Sequence, residues 1–295
     1  MQAHTVYLNL TRSFFNSYVQ IMNIDFHCHT TASDGSLSPA ELLDLALERE
    51  IDMLSITDHD TLGAYQQLTE TNSDIQIIPG IELSSQWNRR GVHIVGLNVG
   101  LDSPSILEAV EQQSNSRRER AGIIAEKLER LGFTDCLAGA LTYASGPDQI
   151  GRPHFARHLV DIGAVSNIQQ AFKRYLGAGK VGDIKDQWAD AETVISWIRD
   201  AGGVAVLAHP TKYKLTRSKL VELLRDFKDA GGQAMEVISG SQEPPVTRDM
   251  ARLCSDIGFD ASCGSDFHAP NQQWAALGKV APLPDNCTPV WHRWH

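Results

Sequence analysis

The chain has 295 residues, 42% of them hydrophobic, a formal net charge of −10 and five cysteines. That length holds one large domain with a subdomain, and the negative balance, which leaves out any bound cations, argues against a broad nucleic-acid or duplex-DNA surface while allowing a local basic pocket. Cys28, Cys136, Cys254, Cys263 and Cys287 are odd in number and form no CxxC pair, so neither a disulfide framework nor a thiolate zinc site is expected and a reducing cytoplasm fits best. No apolar run is long enough to span a membrane. Residues 1–22 have mixed polarity without a signal-peptide pattern and read as an N-terminal extension.

The first strand is predicted at Asn23-Ile24-Asp25-Phe26 and runs into His27-Cys28-His29, with Asp34 five positions on. Strand alternation points His27 and His29 to one side and Cys28 to the other, so two imidazoles converge at a strand end. Ser38-Pro39 caps a first helix whose apolar positions include Leu42, Leu43 and Ala46. Strand-like runs at 51–56, 75–78, 92–97, 203–207 and 259–263 follow. They deliver His59, Glu82, His209, Asp266 and His268 at or just past their ends, while His93 lies inside one. Parallel α/β folds gather catalytic groups at such carboxyl ends. Helices are predicted at 105–131, from Gly151 onward, and at 190–201, 216–230 and 243–257. The organisation expected is therefore an α/β domain of residues 23–103 and 188–285, with a helical insertion at 104–187 over its mouth and a tail at 286–295.

Asp25, Asp58 and Asp60 flank the candidate ligands and are expected either to cap the next helix or to orient a ligand. In the insertion, Arg152 is the leading phosphate-binding candidate because a guanidinium fork matches phosphate oxygens, with His154 and Arg157 after it and Lys180 expected in solvent. Trp188, Trp197 and Trp274 are expected to pack, and Trp291 to His295 to form a chain end.

Taken in order, DFHCHTTASDGS (25–36), ITDHDT (56–61), PGIELS (79–84), HIVGLN (93–98), GRPHFARHLV (151–160), AHP (208–210) and GSDFH (264–268) resemble the polymerase-and-histidinol-phosphatase (PHP) family. The resemblance spans about residues 23–280 and is greatest to the branch of 3′,5′-nucleotide bisphosphate phosphatases and 5′→3′ short-RNA exonucleases. It implies a distorted (β/α)7 barrel holding two or three divalent metals, most often manganese, with iron or zinc as alternatives. One metal would take His27, His29, Glu82 and Asp266, a second Glu82, His93 and His209, and a third Asp34, His59 and His268. Asp34, His59, Glu82, Asp266 and His268 are also the implied catalytic residues. Mixed imidazole and carboxylate sets suit Mn, Fe or Zn better than Mg or Ca, and metal-activated water needs no Ser-His-Asp triad. The implied substrates are a nucleoside 3′,5′-bisphosphate such as pAp and short 5′-phosphorylated RNA. Histidinol phosphate, or a non-catalytic metal-stabilised module, are the other implied readings. One departure from the branch is Val181 to Asp186, where relatives are rich in Tyr and Pro, so base stacking from that stretch is not expected.

Overall fold

The computed structural model describes residues 22–68, 75–184 and 187–294. The expected N-terminal extension up to residue 21, Lys185, Asp186 and His295 lie outside them. β1 (Ile24–Cys28) is buried along its whole length. It is followed by α1 (Pro39–Glu48), which starts as the sequence dictates: Ser38 Oγ accepts from the Glu41 amide and the Glu41 carboxylate accepts from the Ser38 amide. β2 (Met53–Ile56), α2 (Gly63–Gln67) and the two-residue β3 (Gln76–Ile77) come next, and β1, β2 and β3 pair in parallel.

The parallel pattern then breaks. β4 (Gly80–Trp87) and β5 (Arg90–Leu97) form an antiparallel hairpin. Its two-residue turn, Asn88-Arg89, has φ of 47° and 61°, the left-handed pair that matches strand twist in a tight hairpin. Glu82 therefore lies inside a strand, not beyond the end of the 75–78 run, and Ser84 sits opposite His93 in the ladder.

A helical stretch follows: α3 (Pro104–Glu129), α4 (Cys136–Leu141), α5 (Arg152–Asp161) and α6 (Ile168–Ala171). Then α7 (Ala191–Asp200), β6 (Val204–Leu207), α8 (Arg217–Asp229), β7 (Ala234–Ser239), α9 (Pro244–Ile257) and β8 (Asp260–Gly264) alternate. β6 pairs antiparallel with β5, whereas β6, β7 and β8 are mutually parallel.

The strands form a three-stranded sheet, β1-β2-β3, and a five-stranded sheet, β4 to β8, not one closed barrel. Isolated bridges join the sheets at two places. Cys28 pairs with Phe267, where the Asp266 amide donates to the His27 carbonyl at 2.7 Å and the His29 amide to the Phe267 carbonyl at 2.9 Å. His59 pairs with Glu82, where the Asp60 amide donates to the Glu82 carbonyl at 2.9 Å. Both bridges run through candidate ligands, so ligands from different sheets are held in mutual register by backbone hydrogen bonds.

Three apolar cores support this frame. One lies between the five-stranded sheet and α7, α8 and α9, the second under α1 and α2, and the third among α3 to α6 around Phe155, Leu159 and Leu176. α3 links the first and third. Ile106 and Ala109 belong to the sheet core, and Ile124 and Leu128 to the helical one. Trp291 and Trp294 pack edge-on against Phe26 at 5.8 and 5.3 Å, which ties the C-terminal segment to β1. Trp197 is buried as expected, but Trp274 is 62% exposed on its loop and packs little.

Candidate metal centre and substrate cavity

All nine candidate ligands converge where the two sheets meet. Glu82 sits at the middle, fully buried. Its Oε2 lies 2.9 Å from His59 Nδ1 and 3.3 Å from Nε2 of both His27 and His29, and its Oε1 lies 2.9 Å from His93 Nδ1 and 3.0 Å from His209 Nε2. Asp266 Oδ1 is 3.5 Å from His27 Nε2 and 3.4 Å from His29 Nε2. Asp34 Oδ1 is 3.4 Å from His268 Nε2 and 4.0 Å from His59 Nε2. Three donor groups draw together tightly: His27-His29-Glu82, His59-Glu82-His93, and His29-Asp34-His59-His268. His29 thus also approaches the third group, and His59 the second, which the implied assignment did not include.

These atoms fit a cation better than they fit one another. His59 Nδ1 and Glu82 Oε2, though 2.9 Å apart, are not aligned for a hydrogen bond, and they and Asp34 Oδ1 are buried without one among the described residues, a costly state unless a ligand completes it. Burial, then His268 and His59, push the His29 ring down to about 3, so it stays neutral with a lone pair to give. Burial opposes a charge on His27, yet Glu236, Glu82 and Asp266 raise its proton affinity well above normal. The carboxylates around it call for positive charge.

The backbone is shaped to hold this arrangement. Asp60, His209 and Asp266 adopt φ of 55°, 30° and 56°, left-handed conformations that cost non-glycine residues about 1–3 kcal/mol each and gather at functional sites. A Cβ on Gly264 would meet His27 Cβ at 2.3 Å, so only glycine lets β8 approach the first ligand. Asp25 Oδ1 accepts from the Ser265 amide and Oδ2 from the Gly278 amide, both at 2.8 Å, tying β1 to the loop that carries Asp266. Asp58 accepts from the Thr30 amide and hydroxyl at 2.7 and 2.6 Å and from the Ser33 hydroxyl at 2.5 Å, shaping the turn that presents Asp34. Neither Asp58 nor Asp60 caps α2, whose N-cap is Leu62, so of the two expected roles only orientation applies. Cys28 points away from the ligands and donates to the Ser55 carbonyl at 3.2 Å.

Beside the ligands lie two cavities of about 140 and 340 Å³ that share His93, Arg120, Arg152, Phe172 and Trp188. Asp34 and His59 open into the smaller, His209 and Lys212 into the larger. Arg152 lines both, and its Nη1 donates to the Leu176 carbonyl at 3.2 Å and to Asp183 at 3.4 Å. His154 lines the smaller cavity; its Nδ1 accepts from the Gly151 amide at 3.0 Å, which leaves the Nε2 position as the donor. Burial pushes this ring down to about 4, Arg157 and Arg117 repel the proton further, and Asp34 offsets part of that. Arg157 lines neither cavity, and Lys180 is exposed.

Two residues of this wall, Arg117 and Arg120, were given no site role by the sequence reading, and Trp188 was expected only to pack. Arg117 pairs with Asp60 through Nε at 2.9 Å and Nη2 at 2.5 Å, and Gln113 also reaches Asp60, at 3.0 Å. Burial would raise the Asp60 carboxyl, but Arg117 and the Ser84 hydrogen bonds hold it below its ordinary value. Arg120 is 5% exposed, donates through Nε to the Ile184 carbonyl at 2.9 Å, and is pushed down to about 9 by burial and by the neighbouring Arg152 and Arg117. Trp188 does not merely pack: the Arg117 and Arg120 guanidiniums stand 5.5 and 5.1 Å from its ring. A signal existed. Gln113, Arg117 and Arg120 continue the three-and-four spacing of Ile106 and Ala109 toward Ile124 and Leu128, so polar side chains occupy the buried stripe where α3 passes the ligands.

Comparison with known proteins agrees with this geometry. The PHP domain model matches residues 25–205. A 3′,5′-nucleoside bisphosphate phosphatase of Chromobacterium violaceum is 40% identical over 271 residues, covering 91% of this chain and 95% of that protein. A 5′-3′ exoribonuclease of Haemophilus influenzae is 41% identical over 271 residues, covering 91% and 98%. A solved structure from Chromobacterium violaceum, described as an amidohydrolase with bound sulfate and no metal, superposes with a TM-score of 0.85 at 40% identity and covers 92% of this chain and 95% of that one. With a family model spanning more than half its length and relatives alike over nearly all of it, this chain belongs to the PHP domain family.

Proposed function

We propose that the chain is a metal-dependent phosphoesterase that hydrolyses the 3′-phosphate of nucleoside 3′,5′-bisphosphates and also trims short 5′-phosphorylated RNA from its 5′ end. The carrying observation is the adjacency of two unlike walls: a cluster of imidazoles and carboxylates on one side and Arg120 and Arg152 on the other, sharing one cavity system. A substrate with two phosphates has a place for each. The relatives named as a bisphosphate phosphatase and an exoribonuclease support the same reading.

His27, His29, Asp34, His59, Glu82, His93, His209, Asp266 and His268 would hold two or three divalent cations, manganese first by ligand type, with iron or zinc as alternatives. When bound, such cations neutralise phosphoryl oxygens and acidify water. The chain's own residues supply the rest. Arg120 and Arg152 bind the 5′-phosphate and fix which ester faces the ligand cluster. His154, neutral and held by Gly151, offers an Nε2–H donor to the same cavity. Trp188 and Phe172 line the apolar side and limit water. In the net reaction a water oxygen joins phosphorus, the bond to the ribose 3′ oxygen breaks, and that oxygen leaves as a hydroxyl. For RNA the same ester links the first nucleotide to the next.

The two sheets read as parts of a distorted (β/α)7 barrel, supported by the bridges at Cys28–Phe267 and His59–Glu82, with the helices of 104–187 as its cover. No described helix is long and apolar enough to cross a membrane, and five unpaired cysteines suit a reducing cytoplasm. The test is phosphate release from pAp by manganese-loaded protein beside Asp266→Asn and Arg152→Ala. Turnover that Asp266→Asn abolishes and Arg152→Ala weakens through KM is the expected result. Inert wild type on pAp and 5′-phosphorylated RNA, with turnover of histidinol phosphate, would overturn it.

A further inference from the structure

Glu236 belongs to no motif, yet it is 2% exposed and lies against two of the nine ligands. Its Oε1 is 2.5 Å from His27 Nδ1, and its Oε2 accepts from the His209 backbone amide at 2.6 Å. Three further observations set this contact apart from incidental packing. First, the partners come from separate places, β1 and the turn after β6, and one carboxylate on β7 spans them. Second, both strands are irregular at the contact: the β1 register shifts between Asp25 and Cys28, and the β7 register between Glu236 and Ile238. Bulges at such positions re-aim side chains. Third, the amide it holds belongs to His209, whose φ of 30° is strained and which precedes Pro210.

We propose that Glu236 is the positioning residue of the metal centre: by taking the His27 Nδ1 proton in a hydrogen bond and clamping the His209 amide, it sets the tautomer of one ligand and the backbone of another. A hydrogen bond from Nδ1 to the carboxylate leaves Nε2 as the lone-pair atom, and Nε2 is the atom that faces Glu82 and Asp266. The His209 clamp acts on a different ligand through the backbone, so one side chain couples two ligand subsets that share only Glu82. The inference rests on reading the cluster as a metal centre, and its test uses no substrate, so it fails separately from the proposed activity.

The experiment titrates Mn²⁺ into the full-length, chelator-stripped chain, with free Mn²⁺ read by electron paramagnetic resonance, for wild type and Glu236→Gln. The amide is isosteric but cannot accept from both partners: if its oxygen keeps the His209 amide, its NH₂ faces Nδ1 and forces the proton onto Nε2. Expected is a folded variant whose Mn²⁺ affinity falls about 10–100-fold, with lost turnover recovering as Mn²⁺ is raised. Unchanged Mn²⁺ binding in a folded Glu236→Gln protein would overturn the proposal. Should that variant not fold, the ¹⁵N-histidine spectrum of the wild type decides. With the site filled by diamagnetic Zn²⁺, a His27 ring protonated on Nδ1 and not on Nε2, assigned by its loss in His27→Gln, supports the proposal, and a ring with no proton on Nδ1 ends it.

Discussion

The two walls of the cavity are built by different means. The ligand wall comes from strands and strand ends, where ladder hydrogen bonds fix each residue's position and short motifs carry both the chemistry and its address. The opposite wall comes from α3, α5, residues between Phe172 and Ile184, and Trp188, where Arg117, Arg120, Arg152 and Trp188 meet only because helices pack in one way. In the proposed reading, reaction type would be held by the sheet frame, whereas choice of substrate would be held by side chains whose relations are wholly tertiary. Glu236 belongs to the first wall by position, but like the second wall it is defined only by contacts distant in the chain.

The comparison can be broken most forcefully at Glu82, which among the described residues contacts five imidazoles. Glu82→Gln is expected to lower turnover by on the order of a thousandfold, about 4 kcal/mol of transition-state stabilisation. Metal content by elemental analysis should fall with it. A fully metal-loaded, active Glu82→Gln protein would dissolve the distinction between the walls.

Arg120→Ala probes the other wall. Losing a charged donor to a phosphate costs about 1.5–3 kcal/mol, so KM for a 3′,5′-bisphosphate should rise about 10–100-fold with kcat less affected. Activity on a nucleoside 3′-monophosphate should change little. An equal loss on both substrates would place Arg120 with the chemistry and not with selection.

Trp188→Ala removes the face over which two guanidiniums sit. A cation–π contact of about 0.5–1 kcal/mol predicts a two- to fivefold rise in KM. A larger loss confined to the RNA substrate would instead mark Trp188 as a stacking platform for a base.

The smallest expected effect is on stability. His154 has a folded pKa of about 4, below the usual value near 6.5, so between those values the unfolded chain binds more protons than the folded one. Its contribution to stability is therefore complete above about pH 6.5 and is lost as pH falls toward 4. Melting temperatures of metal-free His154→Gln should decline less steeply with acidification than those of wild type. Parallel curves would show that the His154 ring is not confined as described.

Much of the ligand wall was legible because strand alternation and strand ends are local. His27 and His29 had to share a side, and His59, His209, Asp266 and His268 had to follow apolar runs. Glu82 was found by its motif, but the strand that carries it was not: the run at 75–78 holds the short β3, and a second strand begins at Gly80. The antiparallel course of β4, β5 and β6 was hidden because Asn88-Arg89 carries no glycine to announce its turn. Asp58 and Asp60 looked alike beside His59, and only the fold gave one to Thr30 and Ser33 and the other to Ser84 and Arg117.

By itself the sequence determined the alternation of strands and helices, the nine candidate ligands and their order, because periodicity and capping act over a few residues. Tertiary structure alone decided that Arg117 and Arg120 would enter a buried stripe, that Arg152 would stand beside Asp183, and that Glu236 would reach both His27 and His209. Those contacts join residues from 27 to 209 positions apart in the chain. Nothing local records them, because they exist only once burial has made each polar group find its partner.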